Sequence, residues 1–360
     1  MNKTQKIGIA AVAVLWVVLC LSAWLKPADA VSQSERRTLA QFPEISAESM
    51  LSGKFMTDFE SYTLDQFPIR NTFRTVKALT SRHVLCQRDN NGIYLAENHL
   101  AEIEAPLNTQ SVTRALQRFS WIYENYLTGS PVFCAVIPDK GYYLAEENGY
   151  PAMDYESLFT LVRAGMPWAT HIDLTGQLQL SDYYRTDTHW RQERLLPATQ
   201  KLSQTMGVTV PQAEDFTVQT LDTPFYGVYY GQAALPVQPE EMQLLENEML
   251  RSCRVYLHEK NAYTDIYTKP QSTDLYETYL SGSQSLLTIE NPNARSSREL
   301  IVFRDSFASA LVPLLLQDYR TVTLIDIRYI APQRLDQFID FRGQDVLFLY
   351  STLVLNRNLI

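Results

Sequence analysis

Apolar residues fall along this chain in three regimes. An uncharged run of 19 residues, Ile7 to Leu25, comes first and is long enough to cross a bilayer as a helix. Lys3 and Lys6 precede it, so the expected topology is N-terminus inside and the remainder outside. Two readings of this segment stay open, an uncleaved anchor or a signal segment cut at the small residues Ala28-Asp29-Ala30. From Val31 to about Ile45 the chain is polar without a period, which reads as a tether ending near Pro43. Helical spacing then sets in. Phe55, Phe59 and Tyr62 recur at i, i+4 and i+7, and after Pro68 so do Ile69, Phe73 and Val76. Asn90-Asn91-Gly92 marks a turn between short strand-like pieces around Val84 and Ile93.

The third regime alternates helix and strand. The stripe Val112, Leu116, Phe119, Tyr123 and Tyr126 predicts a helix from about Asn108 to Leu127, stopped by Gly129. A buried strand follows over Val132–Ile137, then a helix around Asp154–Gly165, a strand Ala169–Leu174 and a helix from about Arg191 to Met206. The stretch from Val208 to about Pro292 is poor in helix and rich in Tyr, Thr, Gln and Pro, and reads as insertions and loops. Regular alternation resumes with strand Leu300–Phe303, helix Phe307–Gln317 and strands Val322–Ile325 and Val346–Tyr350. Such alternation predicts an α/β fold whose mainly parallel sheet is covered on both faces. The expected organisation is a membrane anchor or signal segment over 1–30, a tether over 31–45 and one domain over 46–360.

Composition narrows the functions. The formal charge of −9 and the lack of any Lys/Arg run exclude a phosphate-tracking surface, so no nucleic-acid partner is expected. Of four cysteines, Cys20 lies in the first apolar run, leaving Cys86, Cys134 and Cys253. That odd number gives no disulfide framework and no Cys-based metal knuckle. The 21 tyrosines include Tyr226, Tyr229 and Tyr230 in the segment Phe225–Tyr230. Tyrosine suits stacking on sugar faces, and Tyr226 and Tyr229 are the candidates for a sugar-facing wall, with ordinary packing as the alternative.

Two short segments carry the candidate chemistry. Asp187-Thr188-His189-Trp190 places a carboxylate two residues before an imidazole, on the same side of an extended chain. Arg304-Asp305-Ser306-Phe307 places a hydroxyl where a strand gives way to a helix. Together they supply a nucleophile (Ser306), a general base (His189) and the acid that orients it (Asp187). Helix capping by Asp187, Thr188 or Asp305-Ser306 explains each motif separately. A metal site on Asp187 and His189 needs at least one further ligand, and no second paired motif supplies it. No cofactor is expected. Lys140, after the strand, is a candidate for holding an anionic or acetylated sugar, or else a solvated loop lysine. Arg328 is a similar candidate, or else the partner of Asp326. His171, beside Asp173 in a strand, reads as a core or rim histidine.

The motifs as a set resemble the DHHW family, related to the periplasmic alginate O-acetylation proteins. They are Ser34-Glu35-Arg36-Arg37 with Leu39 and Phe42-Pro43, Ser52-Gly53-Lys54-Phe55, Asp65-Gln66-Phe67-Pro68-Ile69-Arg70, Ile137-Pro138-Asp139-Lys140, Asp187-Thr188-His189-Trp190 and Arg304-Asp305-Ser306-Phe307. The resemblance implies an SGNH-hydrolase-like α/β/α sandwich in which the Asp–His pair precedes the serine. It also implies O-acyl transfer, or deacylation by an acetylesterase, on an extracytoplasmic polysaccharide, alongside a multi-pass membrane O-acyltransferase. A non-catalytic glycan-binding envelope scaffold of the same fold is the contrasting reading. Two positions depart from the pattern. Thr188 stands where the family name implies a second His, and Arg304-Asp305 precede the serine where hydrolase relatives have Gly. Beyond the Ser306 amide, Asn356 and Tyr350 are the candidates for completing an oxyanion hole, with packing as their alternative.

Overall fold

The computed structural model describes residues 2–360, which form two compact units, residues 2–91 with 230–237 and residues 92–229 with 238–360. In the first, helix Lys3–Leu25 is capped by Asn2, whose side chain accepts from the Gln5 amide, and no residue of the helix is buried. It is one helix, near the N-terminus, long and apolar enough to cross a membrane. The stretch expected as a tether is tied down instead. Val31–Ser32 pairs antiparallel with Arg37–Thr38, and Glu35 forms ion pairs with Arg70 and Arg74. Asp65 accepts from both Arg37 and the Ala40 amide, and the guanidinium holds its pKa down at about 2. The two helices expected here run over Lys54–Asp65 and Arg70–His83.

The second unit is built on an eight-stranded sheet. Its order is Ala262–Thr264, Arg254–Leu257, Leu286–Glu290, Tyr319–Ile325, Arg298–Arg304, Asp345–Ser351, Val132–Ile137, Thr170–Ile172. The last five are parallel to one another, and the first three add antiparallel to that core. The sheet is therefore mainly parallel, as expected, but the stretch read as insertions supplies three of its strands. Those strands are short, three to five residues long, and only Val255, Leu257, Leu287 and Ile289 among them pack into one core, which makes a weak period.

Side-chain alternation explains the layers. Leu300, Val302, Leu347 and Leu349 point to one face, where helices Leu196–Met206 and Ala308–Leu311 pack. Ile301, Phe303, Val346 and Phe348 point to the other, against helices Thr109–Ile122 and Tyr155–Gly165. Both faces are apolar because both are covered, which is why these strands read as continuous hydrophobic runs. Cys134 is a buried thiol in its strand, its pKa pushed up to about 12 by desolvation. The helix expected over Phe307–Gln317 is α only from Ala308 to Leu311 and continues as a 3-10 helix over Val312–Asp318, where Pro313 has no N–H to give an α-helical bond.

Candidate active site

The parallel strands end together on a buried polar layer. Strand Arg298–Arg304 runs into Asp305 and Ser306. Asp305 is fully buried, and its carboxylate takes three donors: the Ser351 amide (2.7 Å), the Ser351 hydroxyl (2.7 Å) and the Phe307 amide (3.0 Å). One carboxylate thus locks the turn after the strand to the end of the neighbouring strand. Ser306, half-buried, is held at the mouth of that turn. The Phe307 amide is spent on Asp305, so the serine's own N–H is the junction's donor for an oxyanion.

His189 reaches the serine from a loop. Tyr183 and Trp190 bridge, the Tyr184 amide donates to His189 O (3.0 Å) and the Arg191 amide to Asp182 O (2.7 Å), closing the loop on itself. At its tip, Asp187 Oδ1 lies 2.6 Å from His189 Nδ1 and also accepts the His189 amide at 3.0 Å. Asp187 Oδ2 accepts the Val228 amide at 2.7 Å. On the far side of the ring, His189 Nε2 lies 2.8 Å from Ser306 Oγ. A carboxylate at Nδ1 retains the proton there and leaves Nε2 free to accept the serine's.

Loop and junction are fastened by side chains that flank the histidine. Trp190 Nε1–H donates to Phe307 O (2.9 Å) and Gln192 Nε2 to Ala310 O (2.8 Å). Tyr276 stacks on the imidazole, with ring centroids 3.9 Å apart and planes at 14°. Beneath the loop, Glu240 accepts the Arg185 amide (2.8 Å), the Thr186 amide (2.8 Å) and the Thr186 hydroxyl (2.9 Å). Gly227 closes the far side. A Cβ there would sit 2.3 Å from the Thr186 carbonyl and from Asp187 Cβ, so only glycine permits this approach.

The structure brings Asp187, His189 and Ser306 together across 117 residues of sequence, and it relocates the other candidates. Lys140 is not at the rim, since it is 2% exposed and its ammonium donates to the backbone carbonyls of Leu100, Tyr184 and Arg185. Desolvation pushes its pKa down to about 7 against the pull of Asp187, Glu240 and Asp139. Tyr229 is buried with the Lys140 ammonium 4.9 Å from its ring centroid, so it offers no free face to a sugar. Tyr226 is 38% exposed. Arg328 follows the salt-bridge alternative, with two nitrogens on the two oxygens of Asp326. Asn356 is engaged by the Asn108 amide and Glu104, and Tyr350 stacks on Phe119, so both fall to packing. His171 Nε2 lies 3.0 Å from Met166 O, in the rim role expected of it.

Sequence reasoning missed Tyr276, Glu240 and Gly227, all in the region read as insertions, and saw Asp305 as a helix cap or a departure from a glycine, not as the tie to the neighbouring strand. Its place directly before Ser306 was the available signal. Among the described residues no three His, Cys, Asp or Glu side chains are grouped to hold a metal.

Comparison with solved structures finds the same fold. A DHHW family protein from Eubacterium siraeum is 21% identical, with a TM-score of 0.62 over 74% of this chain and 93% of that one. Bacillus cereus PatB1 is 18% identical in two structures, one with a sulfonyl adduct, with TM-scores of 0.58 and 0.59 over 74% of this chain and 97% and 98% of those. No curated protein sequence matches. The expected α/β architecture, a mainly parallel sheet covered on both faces, is thus the observed one, and these structures share it. Residues 177–325, the segment that holds Asp187, His189 and Ser306, match the family model described as DHHW protein.

Proposed function

We propose that this chain is a membrane-anchored, outward-facing serine O-acyltransferase that places acetyl groups on hydroxyls of an envelope or secreted polysaccharide. The observation that carries the reading is the unbroken hydrogen-bond path from Asp187 through His189 to Ser306 Oγ, with links of 2.6 and 2.8 Å. Ser306 Oγ attacks the carbonyl carbon of an acetyl donor as His189 Nε2 takes the hydroxyl proton, and Asp187 steadies the imidazolium. The tetrahedral oxyanion meets the Ser306 amide. Collapse expels the donor's oxygen, which takes the proton from His189, and leaves acetyl-Ser306. An acceptor hydroxyl then gives its proton to His189 and attacks the acetyl carbon. The C–Oγ bond breaks and the proton returns to the serine.

Water in place of the sugar gives an acetylesterase through the same intermediate, so acceptor binding decides between the two outcomes. The resemblance to the alginate O-acetylation proteins supports transfer and supplies the expected partner, a multi-pass membrane O-acyltransferase. The sulfonyl adduct on PatB1, a protein of the same fold, supplies the probe. Lys3 and Lys6 ahead of the membrane-length helix support an outward-facing catalytic unit.

The test is mass spectrometry of the full chain after exposure to an activated acetyl ester and, separately, to a sulfonyl fluoride. Modification at Ser306, its loss in Ser306→Ala and His189→Ala, and release of the acetyl group onto an added oligosaccharide faster than onto water are expected. Equal acetyl turnover by wild type and both variants rejects the catalytic reading in favour of a scaffold.

A further inference from the structure

Helix Arg70–His83 turns its apolar stripe away from the protein. At about 100° per residue, Ile69, Phe73 and Val76 fall on one side, and they are 62%, 46% and 54% exposed. The buried residues of the helix are Ala78 and Ser81, and Arg74 reaches Gly231 O at 2.6 Å. Phe67, Val84 and Leu85 extend the exposed apolar set beyond both ends of the helix. Helix Lys54–Asp65 buries no residue at all and exposes Met56 and Leu64. A soluble surface seldom leaves so many large apolar side chains in water within 35 residues of sequence without a partner for them.

Two observations name the partner. The first is continuity. Ala23 and Trp24, in the last turn of the membrane-length helix, line a cavity of about 630 Å³ with Phe42, Phe59, Tyr62 and Phe67. The buried side chain of Gln66 accepts the Asp29 amide (2.8 Å) and donates to Asp29 O (2.9 Å) and Ala40 O (3.0 Å). The corner between the two helices is therefore fastened to a point four residues past the end of the apolar run. The polar interface on each side of a bilayer is roughly 5–8 Å thick, and the cavity shared with Ala23 and Trp24 sets that corner against the last turn of the membrane-length helix. The second is charge. Helix Arg70–His83 has no acidic residue in a chain whose net charge is −9, and beyond Arg70 and Arg74, which pair with Glu35, it carries Lys77 and Arg82. A basic helix with an apolar stripe suits an anionic lipid surface.

We propose that helices Lys54–Asp65 and Arg70–His83 lie on an anionic bilayer where the N-terminal helix emerges, with Phe67, Ile69, Phe73 and Val76 seated at the headgroup–acyl boundary. The inference rests on the reading of Lys3–Leu25 as a retained anchor. In this arrangement the first unit is a foot on the membrane.

The experiment uses the full chain reconstituted in vesicles of phosphatidylglycerol and phosphatidylcholine. A benzophenone-bearing phenylalanine replaces Phe73, Val76, Trp16 within the anchor, or Tyr263, which is 53% exposed in the second unit, one at a time. Adducts formed on irradiation are identified by mass. Lipid adducts from positions 16, 73 and 76 and none from 263 are expected. A lipid adduct at 16 without one at 73 or 76 overturns the foot while leaving the anchor standing. A cross-linked dimer through 73 or 76 overturns it in favour of a second copy as the occupant. No lipid adduct at 16 removes the anchor reading, and the foot falls with it.

Discussion

Ser306 follows a seven-residue strand hydrogen-bonded on both sides in parallel register, whereas His189 stands in a loop held by contacts to Glu240, Lys140, Val228 and Phe307 that involve side chains. The two sides of the His189–Ser306 hydrogen bond are thus held by different means. Ser306 inherits its place from the sheet, and disturbing that place disturbs the whole core. His189 is placed by a few buried polar groups that lie outside the sheet. Damage to the groups that place the serine should therefore appear as lost stability, and damage to those that place the histidine as lost turnover.

The largest effects sharpen nothing about position and fix the roles. Ser306→Ala, His189→Ala and Asp187→Asn should each lower acetyl-ester turnover by about 10³–10⁴-fold or more with little change in Tm, read by ester release and thermal melting. Next comes the contrast itself. Asp305→Ala strands three buried donors, at about 1–3 kcal/mol each, and should lower the urea midpoint sharply. Glu240→Gln turns an amide N–H toward donors under the loop, and should lower kcat by about 10–100-fold, the equivalent of 1.4–2.7 kcal/mol, with a smaller shift in midpoint. If Asp305→Ala spared the midpoint, or if Glu240→Gln lost stability and kept kcat, the contrast would be wrong.

Lys140 gives a pH signature. Its folded pKa, about 7, lies below the ordinary value of 10.5, so between those values the unfolded chain binds a proton that the folded chain does not. Stability should then rise with pH across that window, by up to about 1.4 kcal/mol per pH unit. Below pH 7 both states are protonated and the slope vanishes. Lys140→Met should remove the slope relative to wild type in parallel denaturation curves. The smallest effect belongs to Tyr276→Leu, which loses the face of the imidazole. Stacking of this kind contributes about 0.5–1.5 kcal/mol, so a two- to tenfold fall in kcat is expected, read by ester release.

What the sequence disclosed follows the same divide. Strand Val132–Ile137 was readable to the residue because a strand buried on both faces is a continuous apolar run bounded by prolines. The Asp187, His189 and Ser306 set was readable because each side chain sits in a short local motif. Lys140 was not, since a lysine after a strand looks the same in water as under a loop, and only the carbonyls of Leu100 and Tyr184 tell the two apart. Glu240 and Tyr276 were invisible for want of any local pattern, as their partners lie 54 residues or more away. The stripe Ile69, Phe73, Val76 shows another limit. Periodicity announces a two-sided helix without saying what its apolar side will meet.

Gly227 offers an instrument that the catalytic side chains do not. Any methyl at this position collides with the backbone just before Asp187, so Gly227→Ala would keep the hydroxyl, imidazole and carboxylate while forcing the loop that carries two of them to shift. Such a chain, chemically complete but misaligned, would let a cell distinguish the loss of a reaction from the loss of a protein.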